Sequence, residues 1–220
     1  VAMVHCNNCT SDLNAWADIF AQLGELMGMP LDYDQLFPKL YRKSLEGAPD
    51  AGGLMVCNFL SGEPVVGLAE GRPLVVRRPD SQFNLANFMR AQLYSALASL
   101  VLGMETLQQE TVKIDRLTGH GGLFKTPGVG QRYLAAATGS PVVTLKTANE
   151  GGAYGMALLA AYCRRRNPQQ SLTDFLAQDV FAGEAEEAMQ PDPVDQKGFA
   201  AFLERYKAAL PIEQAAVDCL

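Results

Sequence analysis

Apolar positions at three- and four-residue spacing mark the helices of this chain. Leu85, Phe88, Met89, Leu93, Leu97, Leu100 and Val101 fall on one face of a helix expected over 83–104. Leu13, Trp16, Ile19, Phe20 and Leu23 do the same over 11–26, with Ser11 or Thr10 as the cap. A third helix is expected over 34–45, bent near Pro38. A fourth is expected over 197–209, with Phe199, Phe202, Leu203, Tyr206 and Leu210 on its apolar side. Stripes of this kind form core far more often than they form sites. Apolar and β-branched runs without that spacing predict strands over 1–5, 54–60, 74–76, 112–117 and 141–145. Residues 47–53, rich in Gly and Pro, read as a loop, and 62–80 as a hairpin or irregular excursion around its strand. Acidic, proline-bearing 184–193 reads as a linker or exposed turn. There are no internal repeats.

The stretch after residue 111 carries the most information. The strand ending at Leu117 runs into Gly119-His120-Gly121-Gly122, and Pro127 then opens a helix over 128–137. Pro suits a first helical position because its missing N–H would be unpaired there anyway. Gly139 precedes the next strand, and Asn149-Glu150-Gly151-Gly152-Ala153-Tyr154-Gly155 opens a helix to about residue 166. Strand, helix, strand, helix in this order is an α/β unit with a parallel or mixed sheet. Glycines at such a turn let backbone approach a ligand that any Cβ would push away. With a helix N-terminus behind them they form a nucleotide or phosphate cradle, although an ordinary tight connection between strand and helix carries the same signature. Gly151, Gly152 and Gly155 are poor helix formers, so their presence predicts close packing of helix on loop.

Residues 112–162 resemble the C-terminal domain of the FGGY carbohydrate kinases. The resemblance rests on Gly121-Gly122-Leu123, on Gln131, on Gly139-Ser140-Pro141-Val142 and on Glu150-Gly151-Gly152-Ala153-Tyr154-Gly155-Met156-Ala157, in that order and spacing. Upstream, Leu54 to Glu63 is similar to the family's apolar strand ending in a Leu-Ser-Gly-Glu turn. The 83–104 helix, with Arg90-Ala91, is similar to the family's long helix, so the likeness extends over 1–165. The Gly-Gly-x4-Pro spacing also resembles the adenosine motif of heat-shock chaperones and actin. The resemblance implies an α/β fold: part of an actin-like ATPase (ribonuclease H-like) domain with extra C-terminal helices. Residues 1–166 would be the later part of the kinase C-terminal lobe, and 167–220 a helical extension of the same domain.

The resemblance also implies an activity: phosphoryl transfer from ATP, with Mg²⁺, to a hydroxyl of a pentulose or related sugar. D-xylulose and L-ribulose lead on family prevalence alone. This chain would supply the adenosine side. Gly121 and Gly122 would lie against the nucleotide, and Leu123 and Thr126 would flank base and ribose. Asn14 would stand near ATP with Thr10 and Ser11, while Gln131, Glu150, Gly152 and Gly155 would support the loop. Some members place an adenine-contacting Asn where Thr126 stands. Lys125 either reaches a phosphate or points into solvent, the second being favoured. The family's Asp-x-Gly-Thr turn, catalytic Asp and Gly-Thr-Ser loop have no counterpart here; Asp50-Ala51-Gly52-Gly53 has the look of the first but precedes the wrong strand. No catalytic residue is therefore expected in this chain. It reads as a fragment whose partners are ATP, a sugar and the missing N-terminal lobe, with a homodimer left open. The alternative is a non-catalytic nucleotide-binding or assembly module of the same superfamily.

Composition is compatible with that reading. At 220 residues and 48% hydrophobic the chain can bury one substantial core. Its net charge of −6 argues against nucleic acid or an anionic membrane as partner. Cytoplasmic residence is the expectation, since neither a signal-peptide pattern nor a membrane-length apolar run is present. Among the five cysteines, Cys6-Asn7-Asn8-Cys9 beside His5 invites a zinc or redox reading. Zinc needs four paired ligands, so structural thiols are favoured and no metal site is expected. Arg164-Arg165-Arg166 reads as a solvated helix end rather than an anion site.

Overall fold

The computed structural model describes residues 3–109, 112–145, 151–165, 167, 169–182 and 188–220. In chain order the elements are α1 (Asp12–Leu26), α2 (Tyr33–Ser44), β1 (Met55–Cys57), β2 (Leu74–Val76) and α3 (Leu85–Gln109). They continue as β3 (Leu117–Thr118), α4 (Val129–Thr138), β4 (Val142–Val143), α5 (Gly151–Arg165), α6 (Leu172–Phe175) and α7 (Pro193–Cys219).

The long helix predicted from apolar spacing is α3, and it forms the spine of the molecule. Phe88, Met89, Leu93, Tyr94 and Leu97 are all buried. Trp16 of α1 meets Phe88 edge-on at 4.7 Å, so α1 lies across the start of α3. The 3₁₀ turn Ala51–Gly53 leads into β1, which pairs antiparallel with β2 through Met55–Val76, Val56–Val75 and Cys57–Leu74.

The predicted α/β unit is present in short form. β3 and β4 pair in parallel, Leu117 beside Val142 and Thr118 beside Val143. Met189 adds a single antiparallel bridge to Val142. The expected 112–117 strand shrinks to Leu117–Thr118: Val112 is exposed and has no ladder partner, so its β-branched side chain finds no pleated surface to pack on. Residues 3–5 are likewise not a strand, and 1–2 lie outside the described residues.

Helix ends also depart from expectation. Pro127 does not open α4; a turn at 127–128 intervenes, and Gly128, at φ 84°, holds the N-cap position. Ser11 precedes α1 without any side-chain capping bond. α2 runs through Pro38.

The largest departure is α7. Asp192 caps it, its carboxyl accepting the backbone N–H groups of Val194 and Asp195, and Pro193 follows at the first helical position. The helix then passes through Pro211 to Cys219. Its expected apolar side is buried at Phe199, Phe202 and Tyr206. Tyr94 of α3 stands edge-on to Phe199 at 5.0 Å and to Phe202 at 5.4 Å, an arrangement favoured by the aromatic quadrupole.

Candidate functional site

The glycine turn is built by β3 and held from beneath. Leu117 donates its N–H to the Pro141 carbonyl at 2.8 Å, and Gly119 to that of Val143 at 2.9 Å. Gly121, at φ 97°, takes the backbone where L side chains are disfavoured. A 3₁₀ turn over Gly122–Phe124 follows, with Phe124 N–H on the Gly121 carbonyl at 3.0 Å. Gly119 has a packing role, since a Cβ there would stand 2.4 Å from the Phe124 ring. At Gly121 and Gly122 a Cβ would meet nothing within 4 Å. Those two glycines face open space.

That space is a cavity of about 590 Å³. Gly119 to Phe124 form one wall; Cys6, Asn8, Cys9 and Thr10, just before α1, form another; Ala96, Leu97 and Leu100 of α3 close the floor. Concave sites for drug-sized ligands fall between about 300 and 1,000 Å³, and this cavity lies within that range. Among the described residues no group of three or more His, Cys, Asp or Glu side chains is placed to hold a metal ion.

Gln131 braces the loop. Its Oε1 accepts the Gly128 N–H at 3.0 Å, while its Nε2 donates to Thr144 Oγ1 at 3.0 Å. The side chain thus ties the end of the glycine turn to the end of β4. Leu123 lines the cavity but is mostly buried as a plug against the core. Thr126 is only 3% exposed and does not line the cavity. Asn14 is exposed on α1 and also off the cavity wall, whereas Thr10 is on it. Glu150 lies outside the described residues.

Gly152 and Gly155 line a second, mainly apolar cavity of about 500 Å³ beneath α5. His120 stands between the two cavities and lines both. A Cβ on Gly151 would come within 2.6 Å of His120 Nδ1, so helix does pack closely on loop at that glycine. At Gly152 and Gly155 a Cβ would meet nothing within 4 Å. None of the described α5 residues is buried.

Both cavity cysteines are shifted toward the thiol form. Burial, then the nearby Glu63 and Cys9, push the Cys6 thiol up to about 11, and burial also raises Cys9. A redox-active CxxC has a depressed thiol instead, so the pair behaves as cavity wall.

A set of contacts that the sequence did not single out fixes this wall. Glu63 Oε2 accepts from Asn7 N at 2.9 Å, Asn8 N at 3.1 Å and Asn8 Nδ2 at 3.2 Å. Asn8 Oδ1 in return accepts the N–H groups of Leu60 at 2.9 Å and Ser61 at 3.1 Å. The buried Asn58 donates to the Cys9 carbonyl and accepts from Ser95 at 2.9 Å. The Leu-Ser-Gly-Glu turn was visible as a motif; that it grips residues 7 and 8 was not.

Residues 1–163 match the family model described as the FGGY family of carbohydrate kinases, C-terminal domain. Among solved structures the chain is similar to a xylulose kinase from Rhodospirillum rubrum, with TM-score 0.68, 19% identity, and 92% of this chain against 37% of that one covered. It is similar to a gluconate kinase from Lactobacillus acidophilus, with TM-score 0.66 and 20% identity over 93% of this chain and 39% of that one. For a Plasmodium falciparum glycerol kinase with ADP the TM-score is 0.58 and the identity 14%, over 86% and 36% of the two chains. The chain thus spans less than two fifths of each of these kinases. No curated protein matches it. The mixed helix-and-sheet architecture is that of the actin-like ATPase fold, and the chain belongs to the FGGY family of carbohydrate kinases, whose C-terminal domain it carries.

Proposed function

We propose that this chain is the adenosine-binding lobe of an ATP-dependent kinase that phosphorylates a hydroxyl of a pentulose such as D-xylulose or L-ribulose. The observation that carries the reading is the cavity of about 590 Å³ with the open faces of Gly121 and Gly122 on one side and Cys6 to Thr10 on the other. ATP enters with its phosphates along the glycine turn, where backbone N–H groups approach closely. Leu97, Leu100 and Leu123 offer the base an apolar floor.

Phosphoryl transfer is mostly positioning and electrostatic stabilisation. This chain's part is to fix the nucleotide; most sugar contacts and the first phosphate loop belong to the N-terminal lobe, and the proton acceptor to the beginning of the C-terminal lobe, outside this chain. No residue here is assigned as general base. Mg²⁺ would neutralise developing phosphate charge, held mainly by the nucleotide's own phosphates and by parts of the enzyme outside this chain. Lys125 is exposed and points to solvent. Among the described residues no helix is long and apolar enough to cross a membrane, and we place the enzyme in the cytoplasm.

The test is twofold: MgATP titrated into the 220-residue chain, and phosphorylation of D-xylulose, L-ribulose, gluconate and glycerol by a protein carrying both lobes. Binding to the chain together with turnover of a pentulose by the two-lobed protein supports the reading. Binding without turnover of any sugar favours a nucleotide-binding module instead.

A further inference from the structure

We infer that Glu63 is a positioning residue for the nucleotide, acting through Asn8 and the rest of the cavity wall rather than by touching the ligand; the inference rests on the nucleotide reading above. The wall, Cys6 to Thr10, has no regular secondary structure to hold it. Its geometry comes from side chains remote in sequence. Glu63 is fully buried, and Asn8 is 5% exposed. One carboxyl oxygen, Oε2, gathers two backbone N–H groups and the Asn8 amide at 2.9, 3.1 and 3.2 Å. The Asn8 side chain then closes the loop from the other direction, donating to the Ser61 carbonyl at 3.1 Å and accepting from the 60–61 backbone. Asn7 Nδ2 adds a bond to the Gly62 carbonyl at 2.8 Å.

All of these bonds join the cavity wall to a single turn, and none joins the wall to the glycine loop opposite. The turn therefore holds the Cys6–Thr10 wall in place. Glu63 Oε1 is buried with no hydrogen-bond partner among the described residues, so Glu63 contributes to the clasp through one oxygen alone. That asymmetry separates positioning from mere bulk: a side chain of the same shape with one acceptor oxygen should suffice, and one with none should fail.

The experiment is MgATP titration by calorimetry on the 220-residue chain and on Glu63→Ala, Glu63→Gln and Asn8→Ala, at a temperature where all remain folded. The expected result is affinity about tenfold weaker for Glu63→Ala, roughly 1.4 kcal/mol, with recovery to within about threefold in Glu63→Gln. If Glu63→Ala does not fold, Asn8→Ala carries the test, because it leaves Glu63 its two backbone donors. Wild-type binding with equal affinity in Asn8→Ala and Glu63→Ala overturns the positioning role and leaves the nucleotide reading standing. Glu63→Gln as weak as Glu63→Ala overturns the single-oxygen clasp. Failure of the wild-type chain to bind MgATP overturns the nucleotide reading, and this inference with it.

Discussion

The Arg90 guanidinium meets the Asp195 carboxyl at 3.2 Å, with both side chains only 2% exposed. The pair joins α3 to α7, and the other Asp195 oxygen takes Arg132 of α4, the helix that follows the glycine turn. Arg90 also donates to the Ser44 carbonyl at 3.0 Å and the Leu45 carbonyl at 3.2 Å, the carbonyls at the end of α2. Its guanidinium lies over the Tyr133 ring at 5.3 Å. Four helices therefore converge on one buried charge cluster. Burying charges is expensive, and such a cluster holds only because every charge has a partner. Asp195→Ala should destabilise the chain by about 3–5 kcal/mol, measured by urea unfolding. A loss below about 1 kcal/mol would mean that Arg90 finds a substitute partner.

Gln131 should matter to both stability and ligand. Replacing it by Ala removes the bonds to Gly128 and Thr144. Stability should fall by about 1–2 kcal/mol. Affinity for MgATP should fall several-fold, because the end of the glycine turn is released. Thermal unfolding paired with calorimetric titration reads both, and an unchanged affinity would make the brace purely structural.

The cavity thiols give a pH signature. With Cys6 raised to about 11 by burial and the neighbouring Glu63 and Cys9, its thiolate is scarce at pH 8. Its alkylation rate should climb about tenfold per pH unit from 7 to 10, following the thiolate fraction, and MgATP should slow it. Peptide mapping after iodoacetamide treatment resolves the site. A rate already level above pH 9 would show an ordinary thiol.

Glu213 supplies a stability signature. Burial, only partly offset by the Arg72 N–H bonded at 2.6 Å and the Arg72 charge, raises its carboxyl above the usual 4.5. An acid whose folded value exceeds its unfolded value adds most stability below the unfolded value and loses that contribution as pH rises through the folded one. Glu213→Gln should therefore raise the melting temperature relative to wild type at pH 7.5 and lose that advantage near pH 4. A constant difference across that range would contradict the shift.

Where contacts are local, the sequence was informative. The spacing of Leu85 to Val101 located α3, and β2 was found residue for residue. The order of strand, glycine turn and helix located the candidate site. What escaped was non-local. Glu63 and Asn8 are 55 positions apart, and no spacing rule links a carboxyl to an amide at that range. Thr126 is buried before α4, after one more turn of chain than a strand–turn–helix pattern counts. The acidic, proline-bearing run at 184–193 looked like a linker, yet Asp192-Pro193 within it starts α7. The Phe199–Tyr206 stripe gave the middle of that helix. Beyond Pro211 the helix carries Glu213, which accepts the Arg72 N–H, a non-local contact that propensity does not see.

The most direct measurement of the central claim is calorimetric titration of MgATP into the wild-type chain and Gly122→Val. A Cβ at 122 meets no protein atom within 4 Å, and residue 122 lines the cavity assigned to the nucleotide. The account predicts micromolar to millimolar binding by the wild type, none by Gly122→Val, and melting temperatures that agree closely. Equal binding by the two would contradict the assignment of the glycine turn as the nucleotide cradle.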